Sequence, residues 1–196
     1  MKKYKKILVT AAAGTLLVLL YFIIFGFSAQ NAEESGSLSQ MISEKCVNLL
    51  NSLSGRHWTQ DFCSNLAEYF EHPIRKLAHF SEYACVGILV YVLWVQWLRK
   101  GWRLYLLVVG WVLVSAALDE FHQLFVPGRY GSLADVLLDT CGGAFGMLFC
   151  ILAAKAGKTI VRKSKALQCE RKAQQCERKA QQCERKAQQC KRKKKN

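Results

Sequence analysis

The sequence predicts an all-α integral membrane protein: a four-helix bundle with amphipathic helices on its outer surface and a C-terminal heptad-repeat tail in the cytoplasm. Three observations predict it. Four mainly apolar stretches of the 196 residues can cross a bilayer, the third only by running on from residues 104–118 into the polar segment that starts at Asp119. Both prolines, Pro73 and Pro127, fall outside those runs. The Lys and Arg residues gather at Lys2–Lys6, at Arg99–Arg103 and after Lys155, where a multi-spanning protein carries cytoplasmic positive charge. The formal charge of +14 therefore reads as topology. A nucleic-acid partner is not expected, because no folded basic face is visible.

The first span covers residues 7–27. It follows a basic start and holds no charge over about 31 Å of helix, enough for a hydrocarbon core of about 30 Å. A signal peptide competes for this stretch, but the apolar core is long for one and Phe27-Ser28-Ala29-Gln30 is a poor cleavage site. Residues 28–76 form an outer loop rich in Glu and poor in Lys and Arg, as suits the non-cytoplasmic side. Within it Leu38, Met41, Ile42, Leu49, Leu50 and Leu53 recur at helical spacing, as do Phe62, Leu66, Tyr69 and Phe70. Two short amphipathic helices, lying on the membrane surface or packed on the spans, account for both sets.

Pro73 suits the first turn of the second span, residues 77–98. A basic turn at Arg99, Lys100 and Arg103 leads to the third span, 104–124. Val126-Pro127-Gly128-Arg129-Tyr130-Gly131 is a tight turn by composition. The fourth span covers 134–154, with Ser132 and Asp135 resembling a capping box at its start. Gly142 and Gly146, four apart, let another helix approach closely. The membrane domain is thus 1–154, and 155–196 is a basic tail. Both termini are expected in the cytoplasm of a multi-pass cell-membrane protein.

Two polar patches interrupt the spans. Arg75, Lys76, His79 and Glu82 open the second, with Arg75, His79 and Glu82 on one face. Asp119, Glu120, His122 and Gln123 close the third, with Asp119, His122 and Gln123 on one face; Arg129 follows in the turn. Asp135 and Asp139 open the fourth, and the cap is the bland explanation for Asp135 but not for Asp139. Ionisable groups at membrane depth are costly and mark a functional site by default. The patches are expected to meet at the outer ends of the spans. Four readings stay open: a hydrogen-bonded and ionic network that fixes packing, a ligand-binding cleft, an acid–base pair, and a divalent metal site formed by His79, Glu82, Asp119 and His122. No nucleophile motif or zinc spacing occurs, no catalytic residue is assigned, and no cofactor can be named.

In the tail, Cys-Glu-Arg-Lys-Ala-Gln-Gln starts at Cys169, Cys176 and Cys183, with a broken copy at Cys190. Ala and Cys then occupy a and d of a heptad, so two tails could pair as a parallel coiled coil; a frayed helix is the alternative. Cys46 and Cys63 share the outer loop and could bridge; the cysteines in the spans behave as small hydrophobes.

Arg75-Lys76-x-Ala78-His79-Phe80-x-Glu82-Tyr83, then Asp119-Glu120-x-His122-Gln123-x-Phe125-x-Pro127-Gly128-Arg129 and Asp135-x-x-x-Asp139-x-x-Gly142, resemble the VanZ-like membrane proteins over about residues 7–154. Phe27-Ser28-x-Gln30 is similar to their bacterial members. The resemblance implies an all-helical bacterial membrane protein and an association with low-level teicoplanin resistance. It implies no agreed catalytic residues. Expected partners are membrane lipid and a glycopeptide antibiotic or lipid-linked wall precursor. An integral-membrane enzyme acting on an envelope substrate is the alternative.

Overall fold

The computed structural model describes residues 2–55 and 58–193, with side chains to residue 175 except those at 2, 32 and 172. Arg56, His57 and the tail seam from Cys176 onward thus lie outside the described side chains. The described residues form five helices: α1 (Lys2–Ser28), α2 (Ala32–Ser54), α3 (Gln60–Val95), α4 (Trp102–Gln123) and α5 (Leu133–Lys193). Four of them, all but α2, are long and apolar enough to cross a membrane.

A sharp turn at residues 29–31 separates α1 from α2. Asn31 caps α2 through a reciprocal box: its side chain accepts from the Glu34 amide at 2.8 Å, and the Glu34 carboxylate accepts from the Asn31 amide at 3.4 Å. Gly55, in the left-handed conformation at φ 64°, ends the helix.

The helix that follows differs from expectation. The second amphipathic stretch and the second span are one continuous helix of 36 residues with Pro73 inside it, about 54 Å against a hydrocarbon core of about 30 Å. Proline removes a single ladder hydrogen bond, and tertiary packing holds the helix on its N-terminal side. There Cys63 and Ala67 of α3 are buried against Val47 of α2, with Trp58 and Leu66 at the edge. The buried side of α2 is made of small residues, Ser39, Ser43 and Val47, which let the two helix axes come close. Leu38, Met41, Ile42, Leu49, Leu50 and Leu53 stay exposed beside that seam, and so do Phe62, Tyr69 and Phe70. Cys46 and Cys63 do not bridge: both are free thiols, one exposed and one buried.

The bundle core sits where α3 meets α4 and α5. Tyr83, Val86 and Val90 of α3 and Leu104, Val108, Val112 and Ala116 of α4 are essentially sealed. Gly142 and Gly146 of α5 face the backbone of α3 at Phe80 and Ala84, and Gly143 faces Val112 of α4 and the position of Gly87 on α3. This is the close approach expected from the glycine spacing.

Residues 1–150 form one compact unit and 151–196 a second. The helix α5 has no break at residue 154; its backbone stays helical to Lys193. In the second unit the described seam residues Ala166, Cys169 and Ala173 are exposed.

Candidate functional site

The site is built at the end of the bundle that carries α2, where α3, α4, α5 and the turn after α4 come together. Gly128, with φ 75°, makes that turn possible, and the Arg129 amide closes it on the Val126 carbonyl at 3.2 Å. A cavity of about 250 Å³ results, lined by Arg75, Lys76, His79, Glu120, Gln123, Arg129, Asp135 and Asp139, together with His72, Gly128, Tyr130 and Leu138. A second cavity, of about 160 Å³, opens toward α2 and the end of α1; Glu82 lines it, and Arg75, His79 and Arg129 line both.

The cations of the rim are held in distinct ways. Arg75 pairs with Glu71 one turn earlier on α3, and Ser39 of α2 donates to the same carboxylate at 2.6 Å. Lys76 pairs with Asp135 across from α3 to α5. Among the described residues the Arg129 side chain donates to a backbone carbonyl, that of Phe27, at 3.4 Å. Burial, and then the neighbouring Arg75, lower the Arg129 pKa from its usual value, against the opposing pull of Asp119 and Glu120. A guanidinium keeps its proton through such a shift. Among the described residues Arg129 is thus a charged group with no bonded carboxylate, lining both cavities.

The carboxyl groups behind the rim are buried or half-buried. Glu120 accepts from the Ser132 amide at 2.8 Å, so it caps α5 from α4. The capping box expected from Ser132 and Asp135 is corrected here: the Asp135 side chain is engaged with Lys76 instead. Asp119 accepts one hydrogen bond, from Gln123 at 3.3 Å, and its Oδ1 has no partner. Asp139 is 2% exposed, and its Oδ1 is likewise unpartnered. Glu82 Oε2 stands 3.6 Å from His79 Nδ1, just beyond hydrogen-bond reach, and has no other partner. Asp119 and Asp135 are near enough to influence His79, and Asp119, Glu120, Asp135 and Glu82 to influence Asp139.

Of the residues expected to meet, Arg75, Lys76, His79, Glu120, Gln123, Arg129, Asp135 and Asp139 line one cavity, while Glu82 lines the second and Asp119 faces a groove beside α1. His122 turns away: its ring stacks on Phe25 of α1 at 4.6 Å between centroids, and its Nε2 is buried without a partner. The shared face of Asp119, His122 and Gln123 splits between α1 and the cavity, because one turn of α4 is in contact with both. Among the described residues no group of three or more His, Cys, Asp or Glu is placed to hold a metal ion. Three contributors were not singled out from the sequence. Glu71 was readable from its four-residue spacing to Arg75; Ser39 and His72 carry no such signal.

Chemically, the arrangement is a polar chamber with mobile-length cations at its mouth and under-satisfied carboxyl groups in its wall. Among the described residues Asp139 in this chamber, Glu82 in the neighbouring cavity and Asp119 toward α1 each keep one oxygen without a protein partner. The fold and chamber define a multi-pass helical membrane protein with a polar cleft at one end of the bundle. Residues 14–154 match the VanZ/LLP1 family, and the chain belongs to that family. No curated protein and no solved structure matches it.

Proposed function

We propose that the protein is a binding protein of the outer membrane surface which lowers sensitivity to lipid-tailed glycopeptides such as teicoplanin without cutting them. In this reading both termini are cytoplasmic, because Lys2–Lys6, Arg99–Arg103 and the tail carry the positive charge. The cleft then opens to the outside, and the exposed apolar residues of α2 lie against the outer leaflet. The observation that carries the reading is the roughly 250 Å³ cavity walled by Arg75, Arg129, Glu120 and Asp139, in which Asp139 keeps a carboxyl oxygen that a polar ligand can satisfy. An acyl-tailed glycopeptide partitions into the same surface, so holding it or a lipid-linked wall precursor there alters the drug's local concentration.

Expression in a susceptible Gram-positive host is expected to raise the inhibitory concentration of teicoplanin modestly, and that of vancomycin, which lacks the acyl tail, less. Glu82→Ala and Asp119→Ala are expected to abolish the effect at unchanged membrane abundance. Equal inhibitory concentrations with and without the protein, once its presence in the membrane is verified, rule the resistance reading out. One observation favours an enzyme as the second reading: His79 lines both cavities and lies beside Glu82, an acid–base pair in position. Turnover of an envelope lipid by the purified protein, lost in His79→Ala, would select it.

The orientation has its own test. In intact cells a membrane-impermeant maleimide is expected to modify Cys46, which is exposed on α2, and to spare the buried Cys63 and the tail cysteines. Modification of Cys190 from outside inverts the topology and moves the cleft to the cytoplasm.

A further inference from the structure

Between α1 and α4 lies a groove of about 630 Å³, separate from the polar chamber. Tyr21 and Phe25 of α1, Tyr83 of α3 and α4 from Leu107 to Leu118 form its walls, a rise of about 16 Å along α4. Val114, Leu118 and Phe25 on its rim are more than half exposed, so its mouth opens sideways, where lipid surrounds a membrane-spanning helix. Its polar groups satisfy one another: Trp111 Nε1 donates to the Tyr21 hydroxyl at 3.0 Å, which lies 2.6 Å from Ser115 Oγ. The exception is Asp119. It lines the groove at the end nearest the polar chamber, is 3% exposed, and keeps Oδ1 unpartnered.

We propose that this groove binds the alkyl chain of a bilayer amphiphile whose ammonium head reaches Asp119. The chain length follows from the walls, which are mostly apolar, with their polar groups other than Asp119 bonded to one another, and as long as a medium alkyl chain. The charge of the head follows from its neighbours. Glu82, Asp119, Glu120 and Asp139 crowd together, and among the described residues no Lys or Arg is bonded to any of them. An anionic head would find no Lys or Arg lining the groove. An ammonium group gains a charge-assisted hydrogen bond to the free carboxylate oxygen in a setting of low dielectric. Asp119 also bonds Gln123, which lines the polar chamber, so a head placed at Asp119 touches the wall the two compartments share.

The test uses the purified full-length protein in a non-ionic detergent, with dodecylamine and dodecanol as probes and native mass spectrometry as the readout. Dodecylamine is expected to bind one to one, about tenfold more tightly than dodecanol, the difference a buried charged hydrogen bond provides. Asp119→Asn is expected to keep dodecanol and lose the preference for the amine. Gly110→Leu places a side chain on the groove wall, where its Cβ meets nothing within 4 Å; it is expected to lose both ligands with its thermal unfolding unchanged. Val114→Phe, at an exposed rim position, is a second filling variant. Equal binding of amine and alcohol to the unmodified protein overturns the head assignment. Undiminished dodecylamine binding in both filling variants overturns the site. Because the readout is binding by purified protein, the result stands apart from drug tolerance in cells.

Discussion

Gly146→Leu is expected to leave no folded protein in the membrane fraction, and Gly146→Ala to lower stability by about 3 kcal/mol, the upper end for overpacking a tight core. A Cβ on residue 146 would stand 1.9 Å from the carbonyl oxygen of Ala84, and one on Gly87 would stand 2.0 Å from that of Gly143. Both obstacles are backbone on a facing helix, so no side chain can swing aside; α3 and α5 have to separate. Separation opens the wall that holds Asp139 against Glu120 and breaks the Lys76–Asp135 pair, so the site is lost with the packing. Gly26→Ala and Gly110→Ala are the controls. A Cβ at either position meets nothing within 4 Å, and relief of the mid-helix glycine penalty makes them neutral or stabilising by about 0.5 kcal/mol. Thermal unfolding of each variant in detergent, followed by size-exclusion retention, checks the set. Gly146→Ala melting with the controls would show that α3 and α5 are farther apart than this.

The glycines were legible in the sequence because their meaning is steric: a four-residue spacing on an apolar helix has few other uses. The spans were legible for a similar reason, since the bilayer fixes how long an apolar run must be. What escaped was set by contacts distant in the chain. Pro73 reads locally as the start of a helix, and nothing near it announces that Val47, contributed by α2, packs on Cys63 and Ala67 and carries the helix through the proline. The large apolar residues of α2 fitted either the membrane surface or packing on the spans; the face buried against α3 is instead Ser39, Ser43 and Val47, because closeness of two helices rewards small side chains more than large ones.

Within the site, spacing placed Arg75, His79 and Glu82 on one face correctly, because a single helix dictates that geometry. It failed where two helices compete for one residue. Ser132 and Asp135 carry the pattern of a capping box, but Glu120 reaches the Ser132 amide from α4 and Lys76 draws Asp135 to α3. Likewise His122 and Gln123 are adjacent in sequence, yet one turns to Phe25 and the other to Asp119. Period alone cannot say which neighbour a polar side chain will choose when both are within reach.

Asp139→Asn is expected to raise stability by about 1 kcal/mol or more while abolishing the protein's effect on teicoplanin tolerance. Asp139 is the least satisfied buried group of the described site: it is 2% exposed, makes no hydrogen bond through Oδ1, and sits among Glu120, Asp119, Asp135 and Glu82. Burying a carboxyl without partners costs about 1–3 kcal/mol, more if it is charged. An amide of the same shape removes the repulsion from four carboxyl neighbours and adds two donors that can reach them. A residue retained for packing would respond the other way, losing stability when altered. Asp135→Asn supplies the contrast: its partner Lys76 is close, both side chains are about a third exposed, and loss of such a pair lowers stability by no more than about 1 kcal/mol. Melting temperatures of the two variants, set beside inhibitory concentrations in the same host, separate a group held unsatisfied for a ligand from one held for the fold. If Asp139→Asn melts below the unmodified protein, Asp139 belongs to the packing and the cleft loses the observation that most favours a ligand.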